Sequence, residues 1–280
     1  MAEAVLYVIA TPIGNLGDLS PRAQQILSDV DLIAAEDTRH TGRLLSHFSI
    51  KSTLISVHDH NESARAQLII DALTQGKRIA LVSDAGTPLI SDPGYGLVKR
   101  VRDAGFRVSP VPGCCAFVAA LSAAGLPSDR FMFIGFLPAK KQARIKQLTA
   151  LVDDSCTLIF YESTHRILAC LDDMESVFGA DREIVIAREI TKTFETFKSG
   201  SVADIKEWML ADHHQQKGEF VVLVRGAVCS EKEQSVDSQS AKLLMLLASE
   251  LPPKKAASIV AEVTGIHKKQ LYEYLLQVDS

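Results

Sequence analysis

One stretch of the sequence combines acidic side chains with turn-forming residues. It is VSDAGTPLISDPG, residues 82–94, and it follows RIALV, a short apolar run of the kind that forms a buried strand. Ligands of open α/β sheets bind at the carboxyl ends of such strands. Gly86 and Gly94 permit close approach to the backbone, and Asp84 can accept hydrogen bonds from a ligand. The competing interpretation is a plain loop in which Asp and Ser cap helices and Pro fixes turns.

Charged residues cluster at three further predicted strand ends. AEDTRHT carries Glu36, Asp37, Arg39 and His40, YESTHR carries Glu162, His165 and Arg166, and AREITKTFE carries Arg188, Glu189, Lys192 and Glu195. A single cluster of this kind is usually explained by helix caps and surface ion pairs. Three clusters at strand ends favour a shared cleft in which they act as acids, bases or phosphate ligands.

A second glycine-bearing loop, TPIGNLGD, follows the first predicted strand, and Glu36 and Asp37 come about twenty residues later, as in dinucleotide-binding folds. Gly14 and Gly17 do not form GxGxxG, so NAD is disfavoured, although the position still favours a nucleotide-like ligand. The sequence has no P-loop, GxSxG or HExxH motif. The Cys114–Cys115 pair is better explained by packing and His213–His214 by a solvated loop, so no metal is expected.

The elements that position these clusters indicate the α/β class. Through residue 111, short apolar strands alternate with helical segments, which predicts βαβ units and a parallel sheet. From FMFIGF onward the strands follow one another more closely, which predicts a mixed sheet. TKTFETFKSG, residues 191–200, alternates in period two as an antiparallel strand does. We therefore expect two α/β domains, residues 1–115 and 116–229.

The C-terminal part predicts a separate helical module, residues 236–280, after a polar linker at 230–240. Three helical segments follow one another, and Thr264–Gly265 turns the chain between the last two, as in a helix-turn-helix. Lys268 and Lys269 begin the last helix, where such modules contact nucleic acid, and Lys254 and Lys255 extend the patch. A small helical cap packed on the second domain is the alternative.

Composition excludes several classes of protein. The 280 residues are 47% hydrophobic and 23% charged with a net charge of −4, which is ordinary for a soluble protein, so nucleic-acid binding would need a local patch. Five cysteines without a CxxC pair argue against disulfides and zinc and fit a reducing cytoplasm. The first residues, MAEAVLYVIATP, have no basic n-region or cleavable apolar segment, and no apolar run approaches about 18 residues, so we expect a cytoplasmic protein without a membrane partner.

Taken together, the motifs resemble those of the tetrapyrrole methylase superfamily. They occur in the expected order over essentially the whole chain: TPIGNLGDLS, EDTRHT, SDAGTPLISDPG, VPGCCA, GFLP, YESTHR, AREITKTFE and GEFVVLV. More narrowly, they resemble its branch that methylates the ribose 2′-oxygen of a cytidine in the decoding centre of 16S rRNA. The resemblance implies two α/β domains with S-adenosylmethionine (SAM) in the cleft between them. It also implies a homodimer that acts on 16S rRNA within the 30S subunit.

The resemblance also implies a set of site residues. The SAM site would comprise Pro12, Asp84, Ala85, Gly86, Thr87, Cys115, Ala116, Tyr161, Glu162, Ile190, Gly218 and Glu219. VPGCCA has cysteines where the family usually has proline and a small hydroxyl residue, so Cys115 would contribute through its backbone. A ribose hydroxyl needs a base, and the candidates are Glu36, Asp37, Glu162, Glu189 and Lys192. Arg39, Arg166 and Arg188 would hold RNA phosphates.

Two other functions fit the sequence. The same catalyst could act on a tetrapyrrole, although a basic helical tail has no use there. A non-catalytic RNA-binding or ribosome-associated protein could also use this fold. Titration with SAM distinguishes that last class, since a pure binding module would show neither heat nor a thermal shift.

Overall fold

The computed structural model describes residues 4–58, 61–227 and 238–278. They form two compact units, 4–227 and 238–278. We call residues 4–115 the first lobe, 116–227 the second lobe and 238–278 the three-helix unit. Residues 230–237 of the predicted linker at 230–240 lie outside the described residues. Within the described ranges, no helix has the length and apolar character needed to cross a membrane.

The first lobe is a parallel sheet with helices on both faces, as predicted. Its strands have the order β3-β2-β4-β1-β5, and every pair is parallel. Alternate residues of the strands face two cores, one under α1 and α2 and the other under α3 and α4. The elements are β1 Val5–Ile9, α1 Pro21–Asp29, β2 Leu32–Ala35, α2 Thr38–His47, β3 Leu54–Ser56, α3 Glu62–Thr74, β4 Arg78–Val82, α4 Tyr95–Asp103 and β5 Arg107–Val111.

The predicted strands and helices of this lobe are confirmed, but α2 and β3 were not predicted. The first turn of α2 is TRH, whose polar residues hide the apolar periodicity that Leu44 and Leu45 carry further on. The side chain of Asp37 caps this helix by accepting a hydrogen bond from the backbone N–H of Arg39. The cluster of charged residues at this strand end is therefore partly a helix start.

The second lobe contains the mixed sheet that the sequence predicts, in the order β6-β7-β10-β8-β9. Only β6 and β7 pair in parallel, and the remaining pairs are antiparallel. One face packs on α5, and the other packs on α6, α7 and α8. The elements are α5 Ala116–Ala124, β6 Phe131–Phe136, α6 Lys141–Thr149, β7 Thr157–Ser163, α7 Ile167–Phe178, β8 Glu183–Arg188, β9 Thr196–Ser201, α8 Val202–Ala211 and β10 Glu219–Val224.

The strand predicted at 191–200 begins later than expected. β9 starts at Thr196, and the residues before it form a tight turn. Glu189 and Thr191 have φ values of 50° and 67°, a left-handed conformation that interrupts the alternation. The carboxylate of Glu195 holds the turn by accepting a hydrogen bond from Thr191 N at 2.7 Å. The prediction was wrong for residues 191–195 because this backbone turn leaves the period-two pattern intact in the sequence.

The three-helix unit has its own apolar core. It contains α9 Ser238–Ala248, α10 Pro253–Thr264 and α11 Lys268–Val278. Leu244, Val260 and Leu271, one from each helix, are fully buried together. Pro253 occupies the first turn of α10, and Gly265, at φ 74°, ends it in the left-handed conformation. The predicted order of helix, glycine turn and helix is confirmed.

Candidate active site

Both sheets of the larger unit direct strand ends toward one cavity of about 350 Å³. In the first lobe these are the carboxyl ends of parallel strands, where α/β proteins bind ligands. In the second lobe they are the ends of β6, β7 and β8 and the beginning of β10. The described lining residues are Ile13, Glu36, Asp84, Ala85, Gly86, Thr87, Ile90, Ser91, Asp92, Cys115, Ala116, Phe136, Tyr161, Glu162, Ser163, Ile190, Lys192, Glu219, Phe220 and Val221.

Backbone hydrogen bonds join the loops of the first lobe into one wall. Thr11 and Gly86 exchange backbone bonds, with N···O distances of 2.8 and 3.0 Å. The hydroxyl of Thr87 donates to the carbonyl of Cys114 at 2.9 Å. Gly86 has φ 82°, a conformation that glycine adopts without steric cost. The loop after β4 is therefore held rigidly, with its backbone along the cavity.

Asp84 connects the loops after β2 and β4. Its carboxylate accepts a hydrogen bond from Asp37 N at 3.0 Å, and its own N–H donates to Glu36 at 3.4 Å. Two of the sequence-predicted clusters are thus joined through the backbone. Asp37 itself faces away from the cavity toward Arg39, whose hydrogen bond holds the pKa of the Asp37 carboxyl well below its usual range. Such a carboxylate is a weak proton acceptor.

A lysine held by two carboxylates forms part of the opposite wall. Lys192 Nζ contacts Glu189 Oε1 at 2.9 Å and Glu219 Oε2 at 2.8 Å. Two glycines make room for this arrangement. A Cβ at Gly218 would lie 2.5 Å from Glu189 Cγ, and one at Gly14 would lie 2.5 Å from Lys192 Cγ. The absence of a side chain at Gly14 thus allows the aliphatic part of Lys192, from the second lobe, to pack against the loop after β1.

These ion pairs decide the protonation of both partners. Desolvation lowers the pKa of Lys192, but hydrogen bonds to Glu219 and Glu189 outweigh it, so the net pKa is raised. Desolvation raises the pKa of Glu189, but the hydrogen bond from Lys192 and the backbone contact to Glu219 outweigh it, so the net pKa is lowered. A lysine that stays protonated and a carboxylate that binds protons weakly are both poor general bases.

Glu162 is a buried carboxylate at the end of β7. The residue is 2% exposed. Its Oε1 atom accepts from Ser163 N at 2.9 Å and lies 3.3 Å from Arg166 Nε. Its Oε2 atom is buried with no hydrogen-bond partner among the described residues. A buried acceptor without a partner is costly, so this oxygen is suited to a ligand that brings a donor into the cavity.

The cavity also contains an acid that the sequence analysis did not single out. Asp92 lies in the second half of the loop after β4, where Leu89 and Ser91 have φ values of 73° and 66°. These left-handed residues turn the chain back so that Asp92 faces the cavity. Desolvation raises the pKa of Asp92, and the charge of Asp84 raises it further, against a hydrogen bond with Ser83 that lowers it.

Comparison with known families agrees with this architecture. Residues 5–206 match the family described as tetrapyrrole (corrin/porphyrin) methylases. The chain belongs to this family. Residues 234–278 match a second family, described as the RsmI C-terminal HTH domain.

Curated relatives of this tetrapyrrole methylase are similar over nearly their whole length. A protein of Haemophilus influenzae named ribosomal RNA small subunit methyltransferase I is 53% identical, over 96% of this chain and 95% of its own. One of Pseudomonas aeruginosa with the same name is 53% identical, over 99% and 98%. One of Synechocystis is 44% identical, over 99% of both chains.

Solved structures of other tetrapyrrole methylases share the fold. The cobalt precorrin-4 methyltransferase CbiF has a TM-score of 0.59 at 16% identity, covering 80% of this chain and 95% of that one. The methyltransferase CobJ has a TM-score of 0.59 at 21% identity, with the same coverage. At these identities the likeness concerns the fold alone.

Most residues that the tetrapyrrole methylase resemblance assigned to SAM lie around the cavity. Pro12 and Gly218 do not line it, although each adjoins a residue that does. Of the proposed bases, Asp37 and Glu189 do not line it either. Beyond Asp92, the residues that the sequence analysis missed are chiefly Ile13, Ile90, Ser91, Phe136 and Phe220.

The arginines predicted to hold phosphates differ in exposure. The side chain of Arg39 is exposed and paired with Asp37. Arg166 is partly exposed and bound to Glu162 and the carbonyl of Leu137. Arg188 is buried, and its guanidinium donates to the carbonyls of His214 and Lys217 and to the Thr196 hydroxyl. The prediction that Arg188 holds an RNA phosphate is therefore corrected. Its hydrogen bonds link β8 to the segment before β10 instead.

Proposed function

We propose that this tetrapyrrole methylase transfers a methyl group from SAM to the ribose 2′-oxygen of a cytidine in 16S rRNA. The observation that carries the proposal is the acid-lined cavity at the shared strand ends, in a chain more than half identical to proteins named ribosomal RNA small subunit methyltransferase I. Such an enzyme would work in the cytoplasm, where the rRNA is assembled into subunits.

The residues around the cavity fit SAM, which supplies an electrophilic methyl group on a positively charged sulfur. Glu36, Asp84, Asp92, Glu162 and Glu219 line the cavity against a single lysine, which is itself bound to carboxylates. This favours a cationic ligand over a phosphate. The backbone of Ala85, Gly86 and Thr87 would hold the cofactor, and Glu162 Oε2 would accept a hydrogen bond from it.

Methyl transfer to a ribose requires alignment and a proton acceptor. The hydroxyl oxygen gains the methyl group and releases its proton, and a carboxylate with a raised pKa accepts that proton best. Asp92 combines a position on the cavity wall with such a pKa, whereas Asp37 and Glu189 do not line the cavity and the raised pKa of Lys192 keeps it protonated. Asp92 is therefore the proposed base, with Glu36 and Glu162 as the remaining lining candidates from the sequence.

The three-helix unit would bind the rRNA. Lys254 and Lys255 on α10 and Lys268 and Lys269 on α11 are exposed. The match to a helix-turn-helix family supports this role. Binding through phosphates by this unit would leave the cavity free for the chemistry. Labelling of free 16S rRNA and of 30S subunits distinguishes these two substrates.

A homodimer remains part of the proposal. β6 is an edge strand in which Phe131 and Met132 are 45% and 39% exposed, and Val118 on α5 is 51% exposed. Exposed apolar edges invite pairing with another chain, and a second copy would cover this surface. Sedimentation velocity should give a dimer, and a 30.5 kDa monomer at micromolar concentration would contradict it.

The decisive test is labelling with tritiated SAM. Free 16S rRNA and 30S subunits from cells lacking the enzyme are incubated with the protein, and the labelled nucleotide is mapped by nuclease digestion. We expect label on a single cytidine ribose. Binding of SAM without label in either RNA would overturn the proposed substrate, and absence of SAM binding by calorimetry would overturn the enzymatic function.

A further inference from the structure

Phe136 is an exposed aromatic residue on the wall of the cavity. It is the last residue of β6, and 55% of its surface is accessible. Its ring contacts that of Tyr161 edge to face, with the centroids 5.5 Å apart. The other aromatic lining residues of the described chain, Tyr161 and Phe220, are less exposed. Phe136 therefore combines a fixed position with a large accessible surface.

A β-bulge directs Phe136 to this face. Along the β6–β7 pair, Phe133 is opposite Ile159 and Gly135 is opposite Phe160, so Ile134 is an inserted residue. A regular strand would place Phe136 on the face of Ile134, which packs on the α7 core. The insertion instead brings Phe136 opposite Tyr161, on the face of Phe133. Bulges near active sites re-aim side chains in this way.

The surroundings hold the bulge and the ring in place. Gly135 has φ 74°, a left-handed conformation that glycine adopts without steric cost. A Cβ on Gly135 would lie 3.0 Å from Ser91 Oγ, so the loop that carries Asp92 closes against the bulge. Behind Phe136, Tyr161 packs against Phe133 at 4.9 Å, and Phe133 stacks on Phe117 at 4.4 Å. The ring of Phe136 is therefore the exposed end of a row of packed aromatic side chains.

We propose that Phe136 stacks on the base of the nucleoside whose ribose is methylated, an inference that rests on the proposed function. If the target nucleotide leaves the stack of its neighbours to bring its 2′-hydroxyl into the cavity, the unstacking costs free energy. Proteins that bind unstacked RNA bases offset this cost with aromatic rings. Phe136 provides such a ring on the cavity that the proposed base Asp92 also lines.

The position of Phe136 favours the substrate over the adenine of the cofactor. The cavity also has apolar surfaces deeper in the lobe, formed by Ala116 and Ile190. Phe136 is 55% exposed and Ile190 is 9% exposed, so Phe136 is the large apolar residue of the described lining that is open to solvent. A nucleobase that arrives from solvent therefore meets this ring before the inner wall.

The test compares Phe136→Leu, which removes the ring, with Phe136→Tyr, which keeps it. Phe194→Leu is the matched control, since Phe194 is an exposed aromatic of the second lobe that does not line the cavity. SAM affinity is measured by calorimetry, and kcat and KM are measured with 30S subunits. A short RNA carrying a fluorescent cytidine analogue at the mapped target reports base stacking directly.

We expect Phe136→Leu to keep SAM affinity, lower kcat/KM for RNA about 5- to 150-fold and abolish the quenching of the analogue, as loss of one base–aromatic stack predicts. Phe136→Tyr should retain both the kcat/KM for RNA and the quenching, and Phe194→Leu should change neither. Unchanged kcat/KM in Phe136→Leu, or a loss confined to SAM affinity, overturns the inference while the proposed function stands. A wild-type protein that labels no small-subunit rRNA overturns both.

Discussion

The cavity and the three-helix unit carry opposite charge. The described cavity wall has five carboxylates and one lysine, and that lysine is already paired. The described three-helix unit, residues 238–278, has five lysines and three glutamates. A polyanion is repelled by the first surface and attracted by the second, whereas a sulfonium is attracted by the first. Chemistry and RNA affinity are therefore separable properties, and single variants should affect one without the other.

The largest effect is expected at Asp92. Asp92→Asn should leave SAM affinity within about twofold and reduce methyl transfer about 10²- to 10⁴-fold, as loss of a general base does. Because an Asp must be ionised to accept a proton, wild-type kcat/KM should rise with pH through a pKa above the usual value of about 3.9. That acidic limb should disappear in Asp92→Asn.

Glu36→Gln and Glu162→Gln serve as comparisons for Asp92→Asn, since both acids also line the cavity. Should one of them lose transfer while Asp92→Asn keeps it, the base is that residue and the proposal for Asp92 is wrong. If all three variants transfer at near wild-type rates, alignment alone drives the reaction and water takes the proton.

The next largest effect concerns the backbone wall. Gly86→Val should weaken SAM binding more than tenfold by calorimetry, because the side chain would occupy space beside Ile13 and force a residue disfavoured at φ 82°. Gly76→Val is the matched control: Gly76 has φ 81° but no atoms near its Cβ position. Equal losses of SAM affinity in both variants would attribute the effect to general strain rather than to the cavity.

A smaller effect, on RNA binding, should come from variants of the three-helix unit. Lys268→Glu with Lys269→Glu should weaken binding to 30S subunits and flatten its salt dependence. The variant makes fewer phosphate contacts and therefore releases fewer counterions when it binds. SAM affinity should not change. Lys51→Glu with Lys77→Glu makes the same charge change at exposed sites of the first lobe. If that pair weakens RNA binding equally, net charge rather than the three-helix unit determines affinity.

The smallest effect is on stability. The raised pKa of Asp92 means that ionising this partly buried acid opposes folding, so the cost appears as pH rises through the unfolded and then the folded pKa. Asp92→Asn should therefore melt at a slightly higher temperature than wild type at pH 7. The difference should vanish below about pH 3, where Asp92 is protonated in both states. A lower melting temperature at pH 7 would contradict the assignment.

The sequence predicts the sheets and their shared edge well because both follow from local patterns. Alternation of apolar strands with helices is encoded residue by residue, and the carboxyl ends of parallel strands necessarily meet. One member of each of the three clusters of charged residues reaches the cavity, namely Glu36, Glu162 and Lys192. The role of Gly14 in TPIGNLGD does not follow from a local pattern, because its contact with Lys192 joins residues far apart in the chain.

Backbone irregularities explain what could not be predicted. Asp92 reaches the cavity through left-handed residues at Leu89 and Ser91, and Phe136 reaches it through a bulge. Leu89 and Ser91 are not residue types typical of a left-handed backbone, whereas Gly135 within β6 is a sequence signal for the bulge. Arg188 was misassigned for a different reason, because sequence alone does not reveal that carbonyls of the segment before β10 surround its guanidinium.

The contact between Lys192 and Gly14 has a mechanical consequence. The aliphatic stem of this lysine lies on a loop of the first lobe, while its ammonium group is bound by two carboxylates of the second lobe. Any hinge motion that widens the cavity separates the stem from the glycine, while both ion pairs stay intact within the second lobe. Because only the dispersion contacts of the stem are lost, this lysine opposes opening of the cavity weakly.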